Sequence, residues 1–147
     1  MGLEAKQILR DALDAGKALK DLERQRAHYE QMIMGTGVKL GGMPIAHDNH
    51  SKIEEIAIHL ADITADIERE AVVYTTQIIR ARQLISQVPM YRHRQVLTLR
   101  YLCMMDWTDI QTEMKYSGEK SVFKIHGWAL QAAQRVLDTN GYQRGID

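Results

Sequence analysis

One cysteine, two prolines and one phenylalanine are all that 147 residues hold of these types. A lone Cys103 cannot close an intramolecular disulfide, which suits a reducing cytoplasm and leaves packing to hold the fold. Proline is scarce and β-branched residues rarely alternate with polar ones, so the pattern of an exposed strand is missing and an all-α chain is expected. No apolar run approaches the roughly 18 to 20 residues of a membrane span, and the acidic residue at Glu4 does not fit a secretory leader, so no membrane association is expected. Net charge is absent as well, with 19 Lys+Arg against 19 Asp+Glu. A strongly basic nucleic-acid binder is not indicated by that total. The distribution is uneven, however: residues 47–87 carry four basic and seven acidic side chains, residues 88–147 eight and six. The C-terminal part is therefore the mildly basic one.

What is present is helical periodicity. Ala5, Ile8, Ala12, Ala15, Leu19, Leu22, Tyr29 and Ile33 recur in steps of three and four, broken only at Arg26, and predict one long amphipathic helix from about Leu3 to Met34. Glycines, Pro44 and Asp48-Asn49 make residues 35–50 a loop. Ser51-Lys-Ile-Glu54 fits a capping box and starts a second stripe: Ile53, Ile56, Leu60, Ile63, Ile67, Ala71, Tyr74, Ile78, Ala81 and Ile85. The expected architecture is a long antiparallel helical hairpin over residues 1–87. Leu9, Leu13, Val72, Ile79 and Leu84 flank the stripes and would remain uncovered in a lone hairpin, so a homodimer or higher homo-oligomer is expected.

Beyond Pro89 the pattern shortens into a second domain, residues 88–147. Tyr91 to Met104 buries Val96, Leu97, Leu99, Leu102 and Cys103. Asp106 to Lys115 presents Trp107, Ile110 and Met114, with the Asp106 carboxylate as its cap. Gly118 to Leu137 presents Val122, Ile125, Ala129, Ala132, Ala133 and Val136. Only Tyr116-Ser117-Gly118 separates the last two helices, which is the length of a helix-turn-helix corner.

Several patterns that resemble chemical sites lack the partners chemistry needs. His126 has no second ligand three or four residues away, so it reads as a packing or phosphate-contact residue rather than a metal ligand or general base. His47-Asp48-Asn49-His50 lacks the cysteine pairs of structural zinc sites and reads as polar loop. Gly35 to Gly42 lacks the spacing of a phosphate-binding loop and no strand precedes it. Cys103 sits among apolar neighbours, and Trp107 and Trp128 read as core or interface aromatics. No metal, cofactor or catalytic group is expected, and an enzyme is the least favoured class.

The helix after the turn has the makings of a reading helix. With Val122, Ile125 and Ala129 inward, Glu119, Lys120, Ser121, Phe123, Lys124 and Gly127 face outward. Lysines there can meet phosphates or guanine edges, Ser and Glu can bond bases, Phe123 can meet a thymine methyl, and Gly127 allows a close approach. Composition alone would equally allow a small bundle with a solvated face.

The stretch VPMYRHRQVLTLRYLCMMDWTDIQTEMKYSGEKSVFKIHGWALQ resembles region 4 of the bacterial primary sigma factors. The shared features are Val88-Pro89, Arg94 through Leu99-Arg100-Tyr101, Ile110, Ser117, Val122 with Ile125, and Ala129-Leu130. It is similar also to small phage and prophage late transcriptional regulators of the ArpU and RinA type, through Tyr116-Ser117 and Val122-Phe-Lys-Ile-His-Gly-Trp-Ala-Leu130, with Gly42-Met43-Pro44 in the corresponding linker. The usual spacing from the turn Ser to the helix Val is four residues, whereas Ser117 to Val122 is five. Gly118 is the extra residue, and it either lengthens the turn or begins the helix.

The resemblance implies a sequence-specific transcriptional regulator of phage or prophage late genes that binds double-stranded DNA in a bacterial cytoplasm. Lys120, Lys124, Arg92, Arg94 and Arg100 would contact phosphates; Ser121, Phe123 and Glu119 would read bases. Two other classes fit as well. One is an interaction module that contacts bacterial RNA polymerase; the other is a DNA-packaging component like a terminase small subunit.

Overall fold

A computed structural model describes residues 4–37 and 47–146, with side chains at 4–35 and 51–140. Five helices follow in order: α1 (Glu4–Gly37), α2 (His47–Ser86), α3 (Tyr91–Leu97), α4 (Trp107–Glu113) and α5 (Glu119–Ile146). A π-helical turn, Thr98–Leu102, extends α3. No strand occurs among the described residues, and the chain is all-α. No described helix is long and apolar enough to cross a membrane.

Both long helices extend into the stretch expected to be loop. α1 continues to Gly37, and α2 begins at His47, four residues before Ser51. Ser51 is therefore inside the helix rather than at its cap. Nothing between Ala46 and Ser51 is Gly or Pro, and once a helix is nucleated each added residue gains a hydrogen bond, so it propagates backward past a local start signal. Gly42-Met43-Pro44 and the rest of the linker lie outside the described residues, as do the side chains of His47 to His50.

The chain forms two compact units, Ala18–Val73 on one hand and Met1–Lys17 with Tyr74–Asp147 on the other. The first is thin. Its stripe residues Leu19, Leu22, Ile56, Leu60 and Ile67 are half-buried and Ile63 is buried, and the Tyr29 and His59 rings stack at 6.0 Å. Arg26, the break in the α1 stripe, lies 3.8 Å from Glu30 one turn on.

The second unit holds the main core. Ala5, Leu9, Ala12 and Leu13 of α1 and Ala81, Leu84 and Ile85 of α2 pack in one cluster with Val96, Leu97, Tyr101, Ile110, Val122, Ile125 and Ala129. Three of the five residues expected to flank an uncovered hairpin, Leu9, Leu13 and Leu84, are thus buried by the chain's own C-terminal helices, whereas Val72 and Ile79 stay exposed. Gln134 of α5 reaches across to α1, where its Oε1 accepts from the Ala5 amide at 2.9 Å. That amide belongs to the first turn of α1, which has no partner within its own helix, and a side chain distant in sequence satisfies it.

The helix expected from Tyr91 to Met104 is shorter and changes pitch. Its last turn widens, with the Cys103 amide donating to the Thr98 carbonyl at 2.9 Å and the Met105 amide to Leu99 at 3.0 Å. The extra residue per turn rotates the side chains that follow, so Tyr101 is buried while Cys103, expected inside, is exposed. The turn ends on Met104 at φ 56. Met104 seats its sulfur against Gly16, where an added Cβ would lie 2.6 Å from Sδ. Gly16, which only weakens α1 by propensity, thus makes room for this corner.

Candidate nucleic-acid interface

The corner before α5 is built by the end of α4. Asp106 occupies the cap position, but its carboxylate makes no capping hydrogen bond; its backbone carbonyl accepts from Ile110 at 3.0 Å. At the other end the Lys115 amide donates to Thr112 at 3.2 Å and the Tyr116 amide to Gln111 at 3.0 Å. This paired closure, with the residue after the cap left-handed, is a Schellman motif. The left-handed residue is Lys115, at φ 60, and not Gly118. Gly118 precedes the first residue of α5 and belongs to the turn, where a Cβ would meet nothing within 4 Å. Lengthening of the turn is therefore the outcome at Gly118.

α5 buries a narrow face. Val122, Ile125, Ala129 and Ala133 are inside, and Lys120, Ser121, Phe123 and Lys124 are exposed, as is Glu119 at the helix start. The Thr108 hydroxyl lies 3.5 Å from the Glu119 carboxylate, at the limit of a hydrogen bond, so Glu119 leans toward α4. Gly127 is half-buried on the outward face, and a Cβ there would meet nothing within 4 Å. Helical spacing sets it between Lys120, Lys124 and Gln131, a bare patch in a polar and cationic surface.

Phe123 is not a loose side chain. Its ring meets Trp107 edge to face at 5.2 Å, leaving it 45% exposed yet oriented. Trp107 meets His126 in the same manner at 4.7 Å, and the Arg100 guanidinium lies 4.7 Å from the Trp107 ring. His126 completes the cluster through Tyr101, whose hydroxyl is 2.7 Å from Nε2. Burial, reinforced by the positive charges of Arg100 and Lys6, lowers the His126 pKa to about 4. Its imidazole is neutral near pH 7, so of the two roles expected for it the structure supports packing and not a cationic phosphate contact. Burial likewise raises the Tyr101 pKa, against the opposing charges of Arg100 and Arg10.

The flanking arginines are engaged within the fold, Arg94 and Arg100 with backbone and Arg92 with a side chain. Arg94 donates to the Val88 and Pro89 carbonyls at 2.7 and 2.8 Å, closing the connection from α2 to α3. Arg100 donates to the Met105 carbonyl at 2.9 Å and so ties down the corner after the π-helical turn. Arg92 donates to the Tyr116 hydroxyl and lies over that ring, joining the start of α3 to the turn before α5. Each arginine retains charge toward solvent, but its guanidinium is positioned first by the fold.

One residue of this face, read from the sequence as a core or interface aromatic, is not in the core. Trp128 is 55% exposed, four residues after Lys124 on the outward side of α5. The i+4 spacing from Lys124 is the signal in the sequence; the usual burial of tryptophan outweighs it when no neighbour is known. Among the described residues no group of three or more His, Cys, Asp or Glu could hold a metal ion. The chain matches no family model, no curated protein and no solved structure.

Proposed function

We propose that the protein is a sequence-specific DNA-binding regulator in which α4, the turn 114–118 and α5 act as a helix-turn-helix, with α5 in the major groove. The observation that carries this reading is the pairing of a Schellman-closed corner with a helix whose buried face is only Val122, Ile125 and Ala129 wide at its start. Such a helix leaves its outer side free to enter a groove about 12 Å wide. Lys120 and Lys124 supply phosphate or guanine contacts, Ser121 and Phe123 meet base edges, and Gly127 lets a sugar-phosphate strand approach. The resemblance to sigma region 4 and to phage late regulators supplies the biological setting, a phage or prophage late promoter in a bacterial cytoplasm.

In this proposal α1 and α2 form an antiparallel hairpin that serves self-association. Its support is the Tyr29–His59 stack in one unit and the contact of Gly16 with Tyr74 in the other. In each, an early α1 residue meets a late α2 residue or the reverse. A dimer on paired half-sites would compensate the weak non-specific affinity of a chain with no net charge.

The test is fluorescence anisotropy on phage promoter DNA at two salt concentrations, comparing wild type with Lys124→Ala. Binding that weakens with salt and falls for Lys124→Ala is the expected result. Absence of binding, or indifference to both, would overturn the assignment. The exposed Phe123 and Trp128 also favour a second reading, a protein-contact face for RNA polymerase; a polymerase pull-down that survives nuclease treatment and is lost on Trp128→Ala would support it.

A further inference from the structure

The charges of α1 are sorted by side. Helical spacing puts Glu4 and Asp11 on one flank of its buried stripe and Lys6, Arg10 and Lys17 on the other, with Asp14 on the outer side beside Arg10. The acidic flank has a cationic neighbour, since Glu4 and Asp11 line a cavity with Arg80 of α2. On the basic flank Asp14 stands one turn from Arg10 and from Lys17, whereas Lys6 has no acidic residue at helical spacing. No ion pair found among the described residues involves Lys6, Arg10 or Arg100.

Two contacts fix where that basic flank runs. The Ala5 amide is held by Gln134 of α5, and Gly16 is seated against Met104 at the corner after the π-helical turn. Lys6 and Arg10 lie between these anchors, so this part of α1 passes along Tyr101 and His126. The charges of Lys6 and Arg100 act on His126, and those of Arg10 and Arg100 on Tyr101. Arg100 in turn covers Trp107, which also meets the exposed Phe123. Arg100 therefore lies one indole ring from Phe123 of α5, and Lys6 and Arg10, from an element distant in sequence, act on the same Tyr101–His126 pair that Arg100 does.

We propose that Lys6 and Arg10 of α1, together with Arg100, form a second contact surface for the phosphates of duplex DNA, flanking the helix that reads the groove. This rests on the DNA-binding reading above and adds to it a sequence-independent grip supplied by the N-terminal helix. Lys6, Arg10 and Arg100, held in none of the ion pairs found among the described residues, repel one another less beside a polyanion, and each phosphate they neutralise releases counterions. An almost neutral chain thereby presents a concentrated positive surface where it matters.

The experiment is a salt titration of binding by the full chain to a short mixed-sequence duplex, read by anisotropy. Lys6→Gln/Arg10→Gln is compared with wild type, with the charge-keeping Lys6→Arg/Arg10→Lys, and with Lys20→Gln/Arg24→Gln as a control farther along α1. The expected result is a slope of log K against log salt that is shallower by about 2 for the first pair, near 0.9 per phosphate. The charge-keeping pair should retain the wild-type slope, and the control should change it little. If wild type binds and depends on Lys124, but the Lys6/Arg10 pair leaves affinity and slope unchanged or no different from the control, the second surface is wrong and the groove-reading assignment stands. If wild type binds no duplex at any salt, both fail together.

Discussion

The Tyr101 hydroxyl lies 2.7 Å from His126 Nε2, joining the π-helical turn to the middle of α5. Buried between Tyr101 and Trp107, the imidazole has its pKa lowered from 6.5 to about 4. A histidine that binds its proton more weakly when folded than when unfolded costs stability only where the unfolded chain is protonated and the folded one is not. Stability contributed by neutral His126 is therefore complete above about pH 7 and is lost as pH falls from about 6.5 toward 4. Because the ring is only half-buried, solvent screens it and the loss is smaller than the roughly 1.36 kcal/mol per unit of a fully desolvated group. An NMR titration of the ring should show its midpoint near 4, and His126→Gln should flatten the pH dependence of thermal unfolding over that range. A midpoint near 6.5 would contradict the burial.

Lys115 adopts φ 60 in the Schellman closure while Gly118 does not require its glycine. A left-handed non-glycine residue costs about 1 to 2 kcal/mol. Lys115→Gly should therefore raise the unfolding free energy by about 1 kcal/mol, and Gly118→Ala should change it by less than about 0.5 kcal/mol. Denaturant unfolding of the two variants checks the assignment; a reversed order would mean that the turn is closed differently.

Gly16 and Gly127 should respond in opposite ways to the same substitution. A methyl group at Gly16 would sit 2.6 Å from Met104 Sδ and 3.1 Å from the Tyr74 ring, so Gly16→Ala should destabilise by about 1 to 3 kcal/mol. Replacing Met104 by Ala should remove most of that difference. At Gly127 the methyl group meets nothing, and helix propensity predicts a gain of about 0.5 to 1 kcal/mol. Melting temperatures measure both. If α5 lies against DNA as proposed, Gly127→Ala will bind duplex more weakly although it is more stable.

Gln134 is buried and shared between the Ala5 amide and Asp138, to which its Nε2 donates at 3.0 Å. Gln134→Ala leaves the first turn of α1 with an unsatisfied donor and should cost about 1 to 2 kcal/mol. Hydrogen exchange localises the effect: protection should fall at the Ala5 amide and its neighbours before it falls in α2. Uniform loss along the chain would argue that α1 does not depend on this bond.

Cys103 faces outward because of the widened turn. A thiol reagent should label it fully in the native protein without denaturant. Labelling only after unfolding would place it back in the core and would remove the register shift at Thr98–Leu102.

The all-α class, the long periodic segments and the corner before Glu119 were legible in the sequence, because helical periodicity and turn residues act over a few neighbours. The outward placement of Lys120, Ser121, Phe123 and Lys124 was legible for the same reason: the spacing of Val122, Ile125 and Ala129 sets the opposite face. Other features depended on partners distant in the chain. Leu9, Leu13 and Leu84 looked like an uncovered flank, and only the C-terminal helices packed over them decide otherwise. Cys103 is exposed because a π-helical turn overrides its usual burial, and Trp128 stands exposed on the outward side of α5. His126 is neutral because Tyr101, Trp107 and nearby cations surround it, and Lys6 and Arg10 acquire meaning only when Gln134 and Met104 hold α1 beside them. Local pattern fixes which face of each helix is apolar. What covers that face, and which charges it brings together, is set by contacts between residues far apart in the chain, from Tyr101 with His126 at 25 positions to Ala5 with Gln134 at 129, and no local pattern contains them.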